Sequence, residues 1–269
     1  MNVWITRPLL AFLAVITLLA ALRPTDGLLL PALTAAAWAA VLRLHLRRSH
    51  WQGAALFALV WLDFVLLKAV NANWVAWHAD GLLARWDSAL WGGRILPSYF
   101  RYEAHPLAAD WFALCYFCFF LMVLWAVCDY ACRRRASSDA FFNGLLAVYL
   151  LGLTGYFALP AAGPAFTTLP DTGTPGLFAP ALLRTVADGV TGMDVFPSLH
   201  TALPLYITAF LWRDGRRRTA ALLLPLSLCI VAATILLRYH YGVDVLAGIL
   251  LAAAAAWRFA PSGKKEKAA

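Results

Sequence analysis

Residues 110–130 read DWFALCYFCFFLMVLWAVCDY, twenty-one positions whose only charges are Asp110 and Asp129, near the two ends. A hydrocarbon core of roughly 30 Å is crossed by about 20 apolar residues in a helix. The helix is the form that pairs all of its own backbone N–H and C=O groups away from water. Seven more such runs lie at about 3–22, 27–46, 53–70, 140–159, 197–212, 219–237 and 241–257, in a chain that is 62% hydrophobic and 13% charged. A soluble globular fold is excluded by this composition. The sequence predicts an all-α, polytopic membrane helix bundle of about eight transmembrane helices, with no length left over for a second, soluble domain.

The net charge of +8 does not point to nucleic acid, because the basic residues occupy short connections and not a continuous face. Arg43, Arg47 and Arg48 share one connection, Arg133, Arg134 and Arg135 a second, and Arg213, Arg216, Arg217 and Arg218 a third. Arg258, Lys264, Lys265 and Lys267 close the chain, making fourteen of the 22 Lys and Arg. With eight helices all four groups fall on one side, the cytoplasmic one by the positive-inside rule, and both termini join them. The first run is expected to be a retained helix and not a cleaved signal peptide, since no clear small-residue cleavage site follows it. The Ala- and Leu-rich composition and short loops point to a bacterial plasma membrane.

Two long connections then face outward. The first, about 71–109, contains Trp74, Trp77, Trp86, Trp91, Tyr99 and Tyr102, a composition that predicts short helices along the membrane surface. The second, about 160–196, is rich in Pro and Gly and predicts no spanning element, only chain that is solvated or packed over the bundle mouth.

On this topology His200 and His240 meet at the outer ends of the sixth and eighth helices. Asp244 follows His240 by four residues, so on a helix it shares a face with the imidazole and can fix its tautomer. In FPSLH, Pro197 suits a first helical position, and the N–H groups of Ser198, Leu199 and His200 then lack intrahelical acceptors. With the helix dipole and the Ser198 hydroxyl, this is a seat for a phosphate. Other polar positions receive packing roles: Cys115 and Cys118 form a lone CxxC without further ligands, and Asp63, near mid-span, is expected to hydrogen-bond inside the bundle. Lys68 can snorkel to the outer interface and reach a phosphate.

PSLH followed by RYHYGVDVLAG resembles the second and third signature motifs of the type 2 phosphatidic acid phosphatase superfamily of integral-membrane lipid phosphatases and phosphotransferases. Leu199, where the commonest family form has glycine, resembles the inositolphosphotransferase and sphingolipid synthase branch, as do YFALPAAGPAF and WDSALWGGRILPSYF more loosely. The resemblance implies a six-helix phosphatase-like core at 51–260, two added N-terminal helices at 1–50 and a cytoplasmic tail at 261–269. It implies His240 as nucleophile, Asp244 as its partner, His200 as general acid, and Ser198 and Leu199 in the phosphate seat. No metal or cofactor is implied.

The family's first motif, Lys and Arg-Pro with six residues between them, has no counterpart, and its third-motif Ser-Arg is replaced by Ala233 and Thr234. Arg238 is the expected substitute, on the same face as Thr234 if the helix continues that far. Arg94, Arg101, Arg184 and Lys68 are further candidate phosphate ligands. The expected substrate is a lipid phosphate or phospholipid, with water or an acceptor alcohol lipid taking the phosphoryl or head group. Two other classes stay open: a transporter or lipid-binding protein using the same polar residues, and a metal hydrolase, which would need ligands beyond two His and one Asp.

Overall fold

Every backbone polar group at membrane depth must be paired within the chain, and the described residues achieve this with helices. The structure, a computed structural model, describes residues 2–22, 29–47, 49–100, 105–169, 175–189 and 193–261; of residues 29–32, 46, 68, 69, 72 and 187–189 it describes the backbone alone. In chain order the helices are α1 (Val3–Leu22), α2 (Leu29–Leu46), α3 (Gln52–Trp74), α4 (Asp80–Leu90), α5 (Pro106–Cys132), α6 (Ser138–Ala158), α7 (Pro164–Thr167), α8 (Phe178–Gly189), α9 (Leu199–Arg213), α10 (Arg217–Leu236) and α11 (Gly242–Phe259). A 3₁₀ turn at Leu96–Tyr99 sits between α4 and α5.

The eight expected runs correspond to α1, α2, α3, α5, α6, α9, α10 and α11. Among the described residues, α1, α5, α6, α10 and α11 are each long and apolar enough to cross a membrane, and α3 carries a shorter apolar segment, Gln52–Leu67. The chain is an integral membrane protein built as a helical bundle.

α9 is the helix around which the site end is organised. Its 15 residues rise only about 22 Å, short of a hydrocarbon core of roughly 30 Å. It does not need to match lipid, because it is surrounded by protein: α5, α6, α10 and α11 all pack on it. Leu203, Tyr206, Ile207 and Phe210 are accordingly buried, with Phe141 and Leu145 of α6 in the same core. Close approach is bought by small residues. A Cβ on Gly248 of α11 would stand 2.6 Å from the Ser198 carbonyl oxygen, so only glycine lets α11 lie this near the start of α9. The bundle's outer surface is apolar instead, with Leu107, Leu222, Leu250 and Trp257 all strongly exposed, as a lipid-facing girdle requires.

The first two helices pack elsewhere in the bundle, α2 on α3 and α1 on α3 and α6. Asp63 of α3 is buried there and accepts a hydrogen bond from the Thr17 hydroxyl at 3.3 Å, while Trp38 Nε1 donates to the same hydroxyl at 3.2 Å. The expected internal bonding of Asp63 is therefore what ties α1, α2 and α3 together. At the basic end, Asp129 takes Arg133 at 3.0 Å, Arg135 at 3.2 Å and Arg216 at 2.5 Å.

The described parts of both long connections contain short helices. The first forms α4 and the 3₁₀ turn, with Trp74, Trp77, Trp86 and Tyr99 exposed. The second forms α7 and α8, and α8 packs on α5. Asp110 of α5 accepts from the N–H groups of Leu177, Phe178 and Ala179 at 2.8, 2.7 and 2.9 Å, capping α8 from a neighbouring element.

Candidate active site

The corner between α10 and α11 is built by the end of one helix and the start of the next. α10 stops at Leu236, and the N–H groups of Tyr239 and His240 both turn back to the Thr234 carbonyl at 3.0 Å. Arg238 occupies the left-handed position of this turn, with φ of +63°. That conformation costs an L-residue with a side chain roughly 1–2 kcal/mol and usually goes to glycine. The helix does not continue through Arg238, so the arginine does not share a helical face with Thr234 as expected. Its guanidinium, largely buried, donates to the Phe100 carbonyl at 3.3 Å instead.

His240 sits between the helices and is 3% exposed. Burial pushes its imidazole down to about 4, outweighing the nearby Asp194 charge and a bond to the Val195 backbone, both of which favour the proton. Asp244 is in the first turn of α11, where the dipole favours a carboxylate. Its Oδ2 accepts the Tyr241 N–H at 2.8 Å and lies 3.6 Å from His240 Nδ1. That last separation is longer than a hydrogen bond, and neither Nδ1 nor the second oxygen of Asp244 has a hydrogen-bond partner among the described residues. His240 precedes α11, whose N-cap is Tyr241, so the two residues do not share a helical face as their spacing predicted; the turn nevertheless leaves the side chains next to one another.

The start of α9 differs from expectation. Ser198, and not Pro197, opens the helix, acting as its N-cap with Oγ accepting from the Thr201 N–H at 3.2 Å. Pro197 lies before the helix, after a cis peptide bond to Phe196. Two of the three N–H groups expected to face a phosphate are occupied: Ser198 N–H donates to the Asp244 carbonyl at 3.1 Å, and the Leu199 amide meets the Tyr156 hydroxyl. The reason is burial, since Ser198 is fully enclosed and a buried donor finds an internal partner. The Ser198 bond also locks α9 to α11, setting His200 against His240 with ring centroids 6.0 Å apart. Leu199 points its side chain at α6, where Gly152 makes room for it.

His200 is stacked on Tyr116 of α5, with centroids 4.3 Å apart and planes 19° from parallel, and its Nδ1 is 3.3 Å from the Tyr116 hydroxyl. Phe119 packs on the same imidazole at 4.2 Å. His200 Nε2 is buried without a hydrogen-bond partner among the described residues.

Two carboxylates that sequence reasoning passed over hold this corner from outside. Asp87 accepts from Val243 N–H at 2.8 Å, Leu96 N–H at 2.7 Å and Trp91 Nε1 at 3.0 Å. Asp80 accepts from the N–H groups of Ala162 and Gly163 at 2.9 Å, and from the Thr167 and Tyr241 hydroxyls at 3.1 Å. Their seven-residue spacing on α4, with Leu83 between them on the buried face, was the available signal. Gly163 has φ of +97°, and a Cβ there would be 2.3 Å from the Tyr239 carbonyl oxygen, so the 160–168 connection lies directly against the His240 turn.

Of the remaining candidates, Arg94 and Arg184 are not gathered at the two histidines. Arg94 is exposed, donates to the Ser98 carbonyl at 3.0 Å and lies over the Tyr99 ring. Arg184 is exposed on α8. Arg101 and the Lys68 side chain lie outside the described residues. A cavity of about 460 Å³, lined by Tyr99, Phe100, His105, Phe112, Leu236 and Leu237 among others, opens beside Arg238.

No match was found among curated proteins or among solved structures. The sequence model described as the PAP2 superfamily matches residues 82–258, a span that begins in α4, contains the whole corner and covers more than half of the chain. The chain therefore belongs to the PAP2 superfamily, integral-membrane phosphatase-type lipid enzymes.

Proposed function

We propose that the protein is a lipid phosphatase or phosphotransferase that works through a phosphohistidine at His240. The observation that carries the reading is the convergence of His240, backed by Asp244, with His200 at the buried N-terminus of α9. His240 is neutral at ordinary pH, as a nucleophile must be. In the first step its ring nitrogen forms a bond to phosphorus while the P–O bond to the leaving group breaks. His200 gives the departing oxygen a proton from Nε2. In the second step water or an acceptor alcohol gives that proton back to His200, its oxygen bonds phosphorus, and the N–P bond breaks.

The phosphoryl oxygens need donors that do not have to reorganise. Those at hand are the positive end of α9, the His200 amide, the Ser198 hydroxyl hydrogen and Arg238, which exchanges its Phe100 carbonyl for the substrate. Substrate also displaces the Val195 backbone from His240. The apolar cavity beside Arg238 suits a hydrocarbon chain, placing a lipid with its phosphate inward and its tail toward α5 and α10. The basic residues gathered on Asp129, at the other ends of α5, α9 and α10 from the site, support a reading in which the site faces outward from a bacterial plasma membrane.

The test is His240→Ala against wild type on phosphatidic acid, prenyl diphosphates, and phosphodiester lipids with a sphingolipid acceptor, with trapping of an acid-labile phosphoenzyme. Turnover by wild type and none by the variant supports the assignment. Undiminished turnover in the variant overturns it. Release of inorganic phosphate or appearance of a new head-grouped lipid separates hydrolysis from transfer.

A further inference from the structure

The two histidines are supported by different chemistry. His240 has a carboxylate behind it, whereas the hydrogen-bond partner that the structure gives His200 is a phenol. Tyr116 is itself held: it is 5% exposed, packs with Ala113 and Ala233, and meets the Tyr239 ring edge-on at 5.0 Å. Its hydroxyl reaches His200 Nδ1 at 3.3 Å while its face lies under the imidazole, and Phe119, three residues along α5, closes on the same ring.

We propose that Tyr116 is a positioning residue for His200, its oxygen accepting the Nδ1–H so that the proton the reaction moves is always the one on Nε2. This rests on the acid and base roles given to His200 above. In the imidazolium form both nitrogens carry protons: Nδ1–H is held by Tyr116, and Nε2–H goes to the leaving oxygen as the P–O bond breaks. The neutral imidazole that remains keeps Nδ1–H on Tyr116, leaving a lone pair on Nε2. That lone pair takes the proton of the incoming water or alcohol as its oxygen bonds phosphorus and the N–P bond to His240 breaks. The opposite hydrogen-bond direction, phenol to Nδ1, would put the neutral ring's proton on Nε2 and block the second step.

A neutral acceptor suits this task better than a carboxylate. A carboxylate would orient the ring equally well but hold the imidazolium's protons more strongly, through a charge-assisted bond. His200 must release a proton in every cycle; His240 must instead carry a positive ring when phosphorylated, which is the condition a nearby carboxylate favours.

The experiment compares Tyr116→Phe, which keeps the ring and its stacking, with wild type in the full-length protein. It uses dioctanoyl phosphatidic acid, whose alkoxide leaving group needs protonation, and p-nitrophenyl phosphate, whose phenolate does not. The expected result is a kcat on phosphatidic acid lower by roughly 10- to 100-fold with KM unchanged, while the burst of p-nitrophenolate that accompanies phosphoenzyme formation keeps a rate within about threefold of wild type and the steady-state turnover after it slows. A burst slowed as much as phosphatidic acid turnover, or no loss in either, would show that Tyr116 only packs and would overturn the proposal. Two further variants separate this from failure of the underlying reading. His240→Ala should lose the burst and both turnovers, whereas His200→Ala should keep the p-nitrophenolate burst while losing turnover of both substrates; a His200→Ala variant that loses the burst as well, or keeps phosphatidic acid turnover, overturns the acid-base reading and the Tyr116 role with it.

Discussion

Asp244→Asn isolates the carboxylate's charge from its shape. Asn can still accept the Tyr241 N–H through its one oxygen, so the first turn of α11 keeps its cap. What disappears is the negative charge 3.6 Å from His240 Nδ1. As the N–P bond forms, the imidazole becomes cationic; at that separation and an effective dielectric constant of about 20, the lost attraction is about 5 kcal/mol, or on the order of 10³ in rate. Folding stability should respond oppositely. The wild-type carboxylate is fully buried and has one oxygen without a hydrogen-bond partner among the described residues, so a neutral amide of the same shape relieves a desolvation cost. The variant is expected to melt within a few degrees of wild type or above it, while phosphate release falls about a thousandfold and phosphoenzyme formation slows in parallel. The assay is single-turnover trapping of the phosphoenzyme beside thermal melting in detergent. A variant that keeps activity within tenfold of wild type, or loses it only together with its fold, would refute the reasoning.

Gly163→Ala places a methyl group against the Tyr239 carbonyl and asks an L-residue to hold φ near +97°; displacing the adjacent His240 should lower kcat by at least about tenfold, read by steady-state turnover. The depressed His240 value predicts that the acid limb of kcat/KM lies near pH 4 and not near 6.5. The same burial makes the unfolded chain bind one more proton than the folded one between about pH 6.5 and 4, so this contribution to stability is complete above 6.5 and declines as pH falls to about 4. His240→Gln should flatten that part of a melting-temperature profile. Asp63→Asn, which keeps an acceptor for Thr17 among α1, α2 and α3, should leave kcat within about twofold; a large loss would show that those helices act on the site.

The amino-acid sequence by itself determined the eight long helices, because an apolar run of about twenty residues has few alternatives in a bilayer. It also determined that His200, His240 and Asp244 share one end of the bundle, since helix count fixes which helix ends lie on the same side; that His240 and Asp244 stand side by side came from the turn before α11 and not from a shared helical face. Only tertiary structure decided what each polar group touches. The N–H groups of Ser198 and Leu199 read as a phosphate cradle when α9 is considered alone, but packing against α11 and α6 brings them the Asp244 carbonyl and the Tyr156 hydroxyl. Arg238 read as helical until the Thr234 carbonyl captured the N–H groups of Tyr239 and His240 and turned the chain. Tyr116 lies in an apolar run and Asp80 and Asp87 on a short helix, and the sequence alone assigned none of them a role. Most of their partners lie between 82 and 161 residues away in the chain, and no local pattern encodes contacts of that range. Hydrophobic period and topology are local properties that survive in sequence; the pairing of buried donors with buried acceptors is settled only when the helices meet.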